Sequence, residues 1–266
     1  ALEASVRKGN QKAFKLLLKY EASPNNAKSE IPIVEVANDL GYGDMVQGLI
    51  GAGASCRNIA PLQYEIPCNI GKGISMKCLG MARYKNKVFL CPHNLPYVLV
   101  ICGDSDKVHN IPLKNPVKEG WFGIAQYGTK LYFGPCDASS VLVIDGDTEE
   151  MHTIPCPVQG KQKWGGIAAY GSKLFCSPKD ASCILIIDAE TEELRTIPCS
   201  IEGKCKWQGI ALYGSKMFCS PAYASSVLVI DCVSEDTYTL PIDQASGQLK
   251  WTGIACYGNK LYCAPL

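Results

Sequence analysis

The sequence predicts a mainly β fold, a β-propeller of four-stranded antiparallel blades preceded by a small α-helical segment. Three observations predict it. Trp121, Trp164, Trp207 and Trp251 stand 43, 43 and 44 residues apart and open copies of one block: WFGIAQYGTKLYFGP, WGGIAAYGSKLFCSP, WQGIALYGSKMFCSP and WTGIACYGNKLYCAP. Each repeat holds four short strand signals, and four-stranded units recurring every 40 to 50 residues mark propeller blades. The first sixty residues lack this period and carry helical spacing instead.

In that N-terminal stretch two units align at a spacing of 32: Gly9-Asn10 with Gly41-Tyr42, Leu17-Leu18 with Leu49-Ile50, Ala22-Ser23 with Ala54-Ser55. Phe14, Leu17 and Leu18 fall on one helical face, and Gly53 offers a helix-ending position where positive φ is tolerated. Residues 1–58 therefore resemble two ankyrin repeats. The Thr-Pro-Leu-His opening is reduced to Ile31-Pro32-Ile33, and Glu21 stands where a Gly is usual.

Within the repeat, the first strand ends at Tyr170 and turns through Gly171-Ser172. The second runs from Lys173 to Ser177. The third, Ile184 to Asp188, is rich in β-branched residues. A turn through Ala189, Glu190 and Thr191 feeds the fourth, Leu194 to Pro198. Runs such as VLVID (141–145) and ILIID (184–188) show no polar alternation, as expected where both faces of a blade pack on neighbours. Gly123, Gly166, Gly209 and Gly253 fall on the first strand, where crowding near an axis excludes a side chain. The order G-x-K-L-Y then V-x-x-I-D-x-x-T resembles kelch-type propellers over residues 61–266, without the kelch double glycine. The repeats are 78–120, 121–163, 164–206 and 207–250, with partial copies at both ends; Tyr64 to Cys68 reads as a final strand. This count points to a truncated propeller, and the absence of an initiator Met to a fragment of a longer chain.

Formal charge is +1, so bulk electrostatics draws the chain neither to nucleic acid nor to anionic membrane. No apolar run reaches the length of a spanning helix. The fifteen cysteines are odd in number, lack zinc-ligand spacing, and recur at fixed repeat positions (Cys176, Cys219, Cys263). They suit reduced, buried thiols in an intracellular, cytoplasmic protein. No nucleophile elbow, P-loop or dinucleotide fingerprint is present. The acidic turns 145–150 and 188–193 read as Asx-type turns with solvated glutamates. His109 and His152 occupy a solvated outer-strand position.

No catalytic, metal or cofactor residue is assigned. The expected function is protein interaction or scaffolding with protein partners. The alternative is a propeller enzyme or small anionic-ligand binder at the channel mouth. A lysine recurs before the first strand (Lys77, Lys163, Lys206, Lys250), near Asp137, Asp180 and Tyr223. These lysines are expected to form an arc at the channel mouth that binds an anion or an acidic partner. Because the mouth positions read as repeating nearly unchanged, the sequence favours a symmetric scaffold over a reaction centre.

Overall fold

The computed structural model describes residues 73–242, 250–258 and 260–265, together with Lys8, Ile66 and Ile70. Contacts divide the chain into two units, Ala1–Pro67 and Cys68–Leu266. The ankyrin-like reading of 1–58 and nearly all of the strand expected at 64–68 lie outside the described residues.

The described residues of the second unit form eighteen strands. The first blade holds β1 (Cys78–Tyr84), β2 (Lys87–Pro92), β3 (Tyr97–Cys102) and β4 (Lys107–Pro112). The second holds β5 (Trp121–Tyr127), β6 (Lys130–Pro135), β7 (Ser140–Asp145) and β8 (Met151–Pro155). The third holds β9 (Trp164–Tyr170), β10 (Lys173–Pro178), β11 (Cys183–Asp188) and β12 (Leu194–Pro198). The fourth holds β13 (Trp207–Tyr213), β14 (Lys216–Pro221), β15 (Ser226–Asp231) and β16 (Thr237–Pro241). A hairpin of β17 (Trp251–Tyr257) and β18 (Lys260–Pro265) follows. Each full blade is antiparallel with its strands in sequence order, and the boundaries match the strands expected from the repeat to within a residue or two.

The first strands of successive blades pack on one another, β1 on β5, β5 on β9, β9 on β13 and β13 on β17. They are the inner strands, as the glycine pattern implied. A Cβ on Gly123 would lie 2.9 Å from the Ile167 amide nitrogen, and one on Gly209 would lie 2.8 Å from the Thr252 carbonyl oxygen. The hairpins leaving the inner strands turn at Gly128, Gly171, Gly214 and Gly258, with φ of 57 to 59°, a conformation that costs glycine nothing.

The core is not one mass but a layer between each pair of blades. Leu131, Phe133, Leu142 and Ile144 of the second blade pack toward Phe89, Val98 and Val100 of the first. Tyr132, Val141 and Val143, the alternate positions, pack toward Leu174, Leu185 and Ile187 of the third. Successive residues of a strand point to opposite faces, so a blade sandwiched on both sides reads as continuously apolar. Trp164 and Trp207 are fully buried. Each indole nitrogen donates to a carbonyl of its own blade, Cys183 at 2.9 Å and Ser226 at 2.8 Å.

Candidate recognition face

Strand alternation puts two kinds of loop on one face of the arc: the second-to-third-strand loops and the connections between blades. Around the inner strands this is the channel mouth. Its backbone is stitched identically in each copy. The amides of Gly120, Lys163, Lys206 and Lys250 donate to the carbonyls of His93, Cys136, Lys179 and Ala222 in the preceding blade, at 3.0, 3.1, 3.0 and 3.0 Å. Two positions before each inner strand the chain turns left-handed, at Met76, Glu119, Gln162 and Cys205 (φ 44, 55, 51 and 47°). An Asx side chain of the preceding blade fixes three of these turns. Asn94 accepts from the Glu119 amide at 3.0 Å, Asp137 from Gln162 at 2.7 Å, and Asp180 from Cys205 at 2.7 Å.

The repeated lysines belong to this frame, which corrects the expectation of a ligand-facing arc. Lys163 is 2% exposed, and its ammonium donates to the carbonyls of Cys136 and Ala138 at 2.8 Å and of Gly160 at 3.0 Å. Lys206, equally buried, donates to Ala181 at 2.8 Å and Gly203 at 3.3 Å. Burial lowers the pKa of both. A four-carbon stem lets the ammonium fold back and saturate loop carbonyls that would otherwise be stranded. Lys77 and Lys250 are half-buried; the Lys250 amide makes the stitch to Ala222, and the Lys77 carbonyl accepts from the amides of His93 and Asn94 in its own blade. Asp137 and Asp180 are capping residues of the frame. Tyr223, at the equivalent position in the fourth blade, is 40% exposed.

What differs from blade to blade is the decoration of that frame. The residue after the second strand is His93, Cys136, Lys179 and Ala222 in turn; the left-handed position is Met76, Glu119, Gln162 and Cys205; the second residue of the inner strand is Leu79, Phe122, Gly165, Gln208 and Thr252. The reading of nearly unchanged mouth positions is therefore corrected: only the frame is constant. Gln162 bridges two of the decorating side chains, its amide nitrogen donating to Glu119 and its amide oxygen accepting from Lys179. The Lys179 ammonium lies 5.2 Å from the centre of the Phe122 ring, and His93 meets the same ring edge-on at 6.0 Å. Beside this group is a cleft of about 430 Å³ lined by Val117, Lys118, Glu119, Asp137, Lys161 and Gln162.

The opposite face carries the tight turns. Asp188 accepts from the amides of Glu190 at 2.9 Å and Thr191 at 3.1 Å, as expected for an Asx turn. The glutamates there are not merely solvated. Glu149 reaches Lys87 and His109, Glu192 reaches Lys130 and His152, and Glu235 reaches Lys173 and Arg195, each in the preceding blade. Among the described residues, no group of three His, Cys, Asp or Glu is arranged to hold a metal ion.

No protein family and no curated protein matches the chain. Solved structures do. A streptogramin B lyase aligns with a TM-score of 0.59 and 13% identity over 71% of this chain and 62% of that one. The extracellular domain of BT4673 from B. thetaiotaomicron aligns at 0.55 and 10% identity over 70% of this chain and 26% of that one. The WD40 repeats of RRP9 align at 0.50 and 13% identity, over 64% of this chain and 52% of that one. The chain thus spans less than two thirds of each of these proteins. At such identities the likeness is one of fold, and the fold is a β-propeller of four-stranded blades.

Proposed function

We propose that this chain is a non-enzymatic interaction protein, a scaffold that recognises a protein partner on the mouth face of its propeller. The observation that carries the reading is the contrast on that face between an invariant, hydrogen-bonded frame and side chains that change from blade to blade. Recognition surfaces are commonly variable side chains on loops held by a rigid scaffold. A preorganised surface also loses little entropy on binding. The mixture of apolar, cationic, anionic and amide groups suits a polypeptide, whose side chains offer all the complements.

The test is selection of peptides from a random library displayed against the whole chain. Binding of the selected peptides is expected to fall in Glu119→Lys and Gln162→Arg. It is expected to persist in Thr196→Arg on the outer strand β12. Peptides indifferent to both mouth substitutions would overturn the reading.

A further inference from the structure

We propose that Lys179 anchors a carboxylate-binding site at the channel mouth, one that takes a free organic acid or the carboxylate of a peptide. The proposal rests on the mouth face being the recognition face, and concerns the chemistry of one point on it.

Lys179 is 7% exposed, and among the described residues its ammonium pairs with no carboxylate. Among the described residues it has one hydrogen-bond acceptor, the Gln162 amide oxygen, and the face of Phe122. The contrast with Lys163, whose three ammonium hydrogens each meet a carbonyl, is direct. A buried ammonium left short of acceptors and of counter-charge is costly. Packing does not demand it, because Cys136 and Ala222 fill the same position in the blades on either side.

Two further buried polar side chains near the axis are incompletely partnered, although the His93 nitrogen needs a donor and is not filled by a carboxylate. His93, 2% exposed, occupies the Lys179 position in the first blade. Its Nδ1 lies 3.0 Å from the Trp121 carbonyl oxygen and must carry the proton there, because a carbonyl only accepts. That leaves Nε2 with a lone pair and no hydrogen-bond partner among the described residues. Burial lowers the pKa of His93 and so favours this neutral form. Gln208, 6% exposed on β13 in the blade after Lys179, has no hydrogen bond to its side-chain amide among the described residues.

The local charge selects the ligand. Lys118, Lys161, Lys163 and Lys179 outnumber Glu119 and Asp137, so the neighbourhood favours an anion. The two carboxylates and the lack of an Arg fork disfavour a doubly charged phosphate. A singly charged carboxylate supplies the acceptor and the counter-charge that Lys179 lacks.

The test uses the whole chain, with thermal unfolding and calorimetry as readouts. The probes are propionate, an N-acetylated and C-amidated pentapeptide containing one Glu, the matching Gln peptide, propionamide, phosphate, and sodium chloride at equal ionic strength. A carboxylate probe is expected to raise the unfolding midpoint saturably, while propionamide, the Gln peptide and chloride do not. Lys179→Met is expected to weaken that binding by roughly tenfold or more, the value of a charged hydrogen bond. It should also raise the midpoint of the anion-free protein, since it removes a buried charge. Lys107→Met, exposed on the outer strand β4, should bind like wild type. In wild type alone, the Lys179 Nζ resonance should shift with the carboxylate while that of Lys107 does not, which keeps the test valid if a variant misfolds.

A response to propionate assigns a free acid, and a response to the Glu peptide alone assigns a partner's carboxylate. No response to either, a preference for phosphate, or equal responses in Lys179→Met and wild type would overturn the site. Peptide binding that depends on Glu119 and Gln162 could still stand after such a result, so the two readings fail separately.

Discussion

Lys87 on β2 donates to Glu149 at 2.6 Å across the boundary between the first and second blades. The same carboxylate meets His109 at 2.8 Å, and the arrangement recurs as Lys130–Glu192–His152 and Lys173–Glu235–Arg195. Each glutamate sits left-handed on its turn (φ 61, 60 and 65°), which aims it backward at the preceding blade. These clamps tie the blades together on the face opposite the mouth.

The third clamp gives a pH prediction. The Arg195 guanidinium, opposed by burial and aided by Lys173, holds the Glu235 carboxyl at about 2, below its ordinary 4.5. A carboxyl whose folded pKa is depressed contributes its full stability above the unfolded value. That contribution is lost as pH falls through the window from about 4.5 toward about 2. Glu235→Gln is expected to cost about 1 kcal/mol at neutral pH. Its denaturation profile should fall less steeply than wild type across that acid window; identical profiles would show that the clamp contributes nothing.

The inner-strand glycines predict a graded series. A Cβ on Gly165 would lie 2.5 Å from the Gln208 carbonyl oxygen, and one on Gly209 2.8 Å from that of Thr252, whereas one on Gly253 would meet, among the described residues, the Ala264 Cβ at 3.6 Å. Gly165→Ala and Gly209→Ala are expected to lose about 1–3 kcal/mol, and Gly253→Ala to stay within about 0.5 kcal/mol. Urea titration of the three variants checks the order. A Gly253→Ala loss equal to the others would contradict the packing.

Lys163 predicts a structural rather than a binding phenotype. Lys163→Met strands loop carbonyls and should lose about 2 kcal/mol of stability. The exposed Lys161→Met should lose almost none. Chemical denaturation that leaves Lys163→Met unchanged would return its ammonium to solvent.

The described cysteines are all free thiols. Burial pushes Cys136 up to about 12 and Cys156 up to about 11, and raises Cys176 and Cys219 further from reactivity. Thiol titration of the native protein should therefore leave these four unreacted while half-buried Cys102, Cys205 and Cys256 react. All should react on unfolding. Fast native labelling of Cys176 would contradict its burial.

The blades were legible because tryptophans, turn glycines and apolar runs recur at one spacing, and between-blade packing makes the third strands apolar on both faces. The candidate site was misread for a related reason. The constancy of Lys163 and Lys206 reflects carbonyls that need capping in every copy, and sequence cannot say which way a flexible lysine folds. His93, Glu119, Gln162 and Lys179 were passed over because each occurs once. The usable signal was divergence at fixed repeat positions: His93, Cys136, Lys179 and Ala222 after the second strand, beside a position that is Lys in four repeats and Gly120 in one. Constant positions build the frame, and divergent ones decorate it.

The central claim is that the mouth face is the recognition face, and hydrogen exchange on the chain bound to a library-selected peptide tests it most directly. The account predicts slowed exchange in the loops 93–96, 136–139 and 179–182 and the connections 113–120, 156–163 and 199–206. The turns at 85–86, 128–129, 146–150 and 189–193 on the opposite face should be unchanged. Protection confined to those turns, with the mouth exchanging as in the free protein, would contradict it.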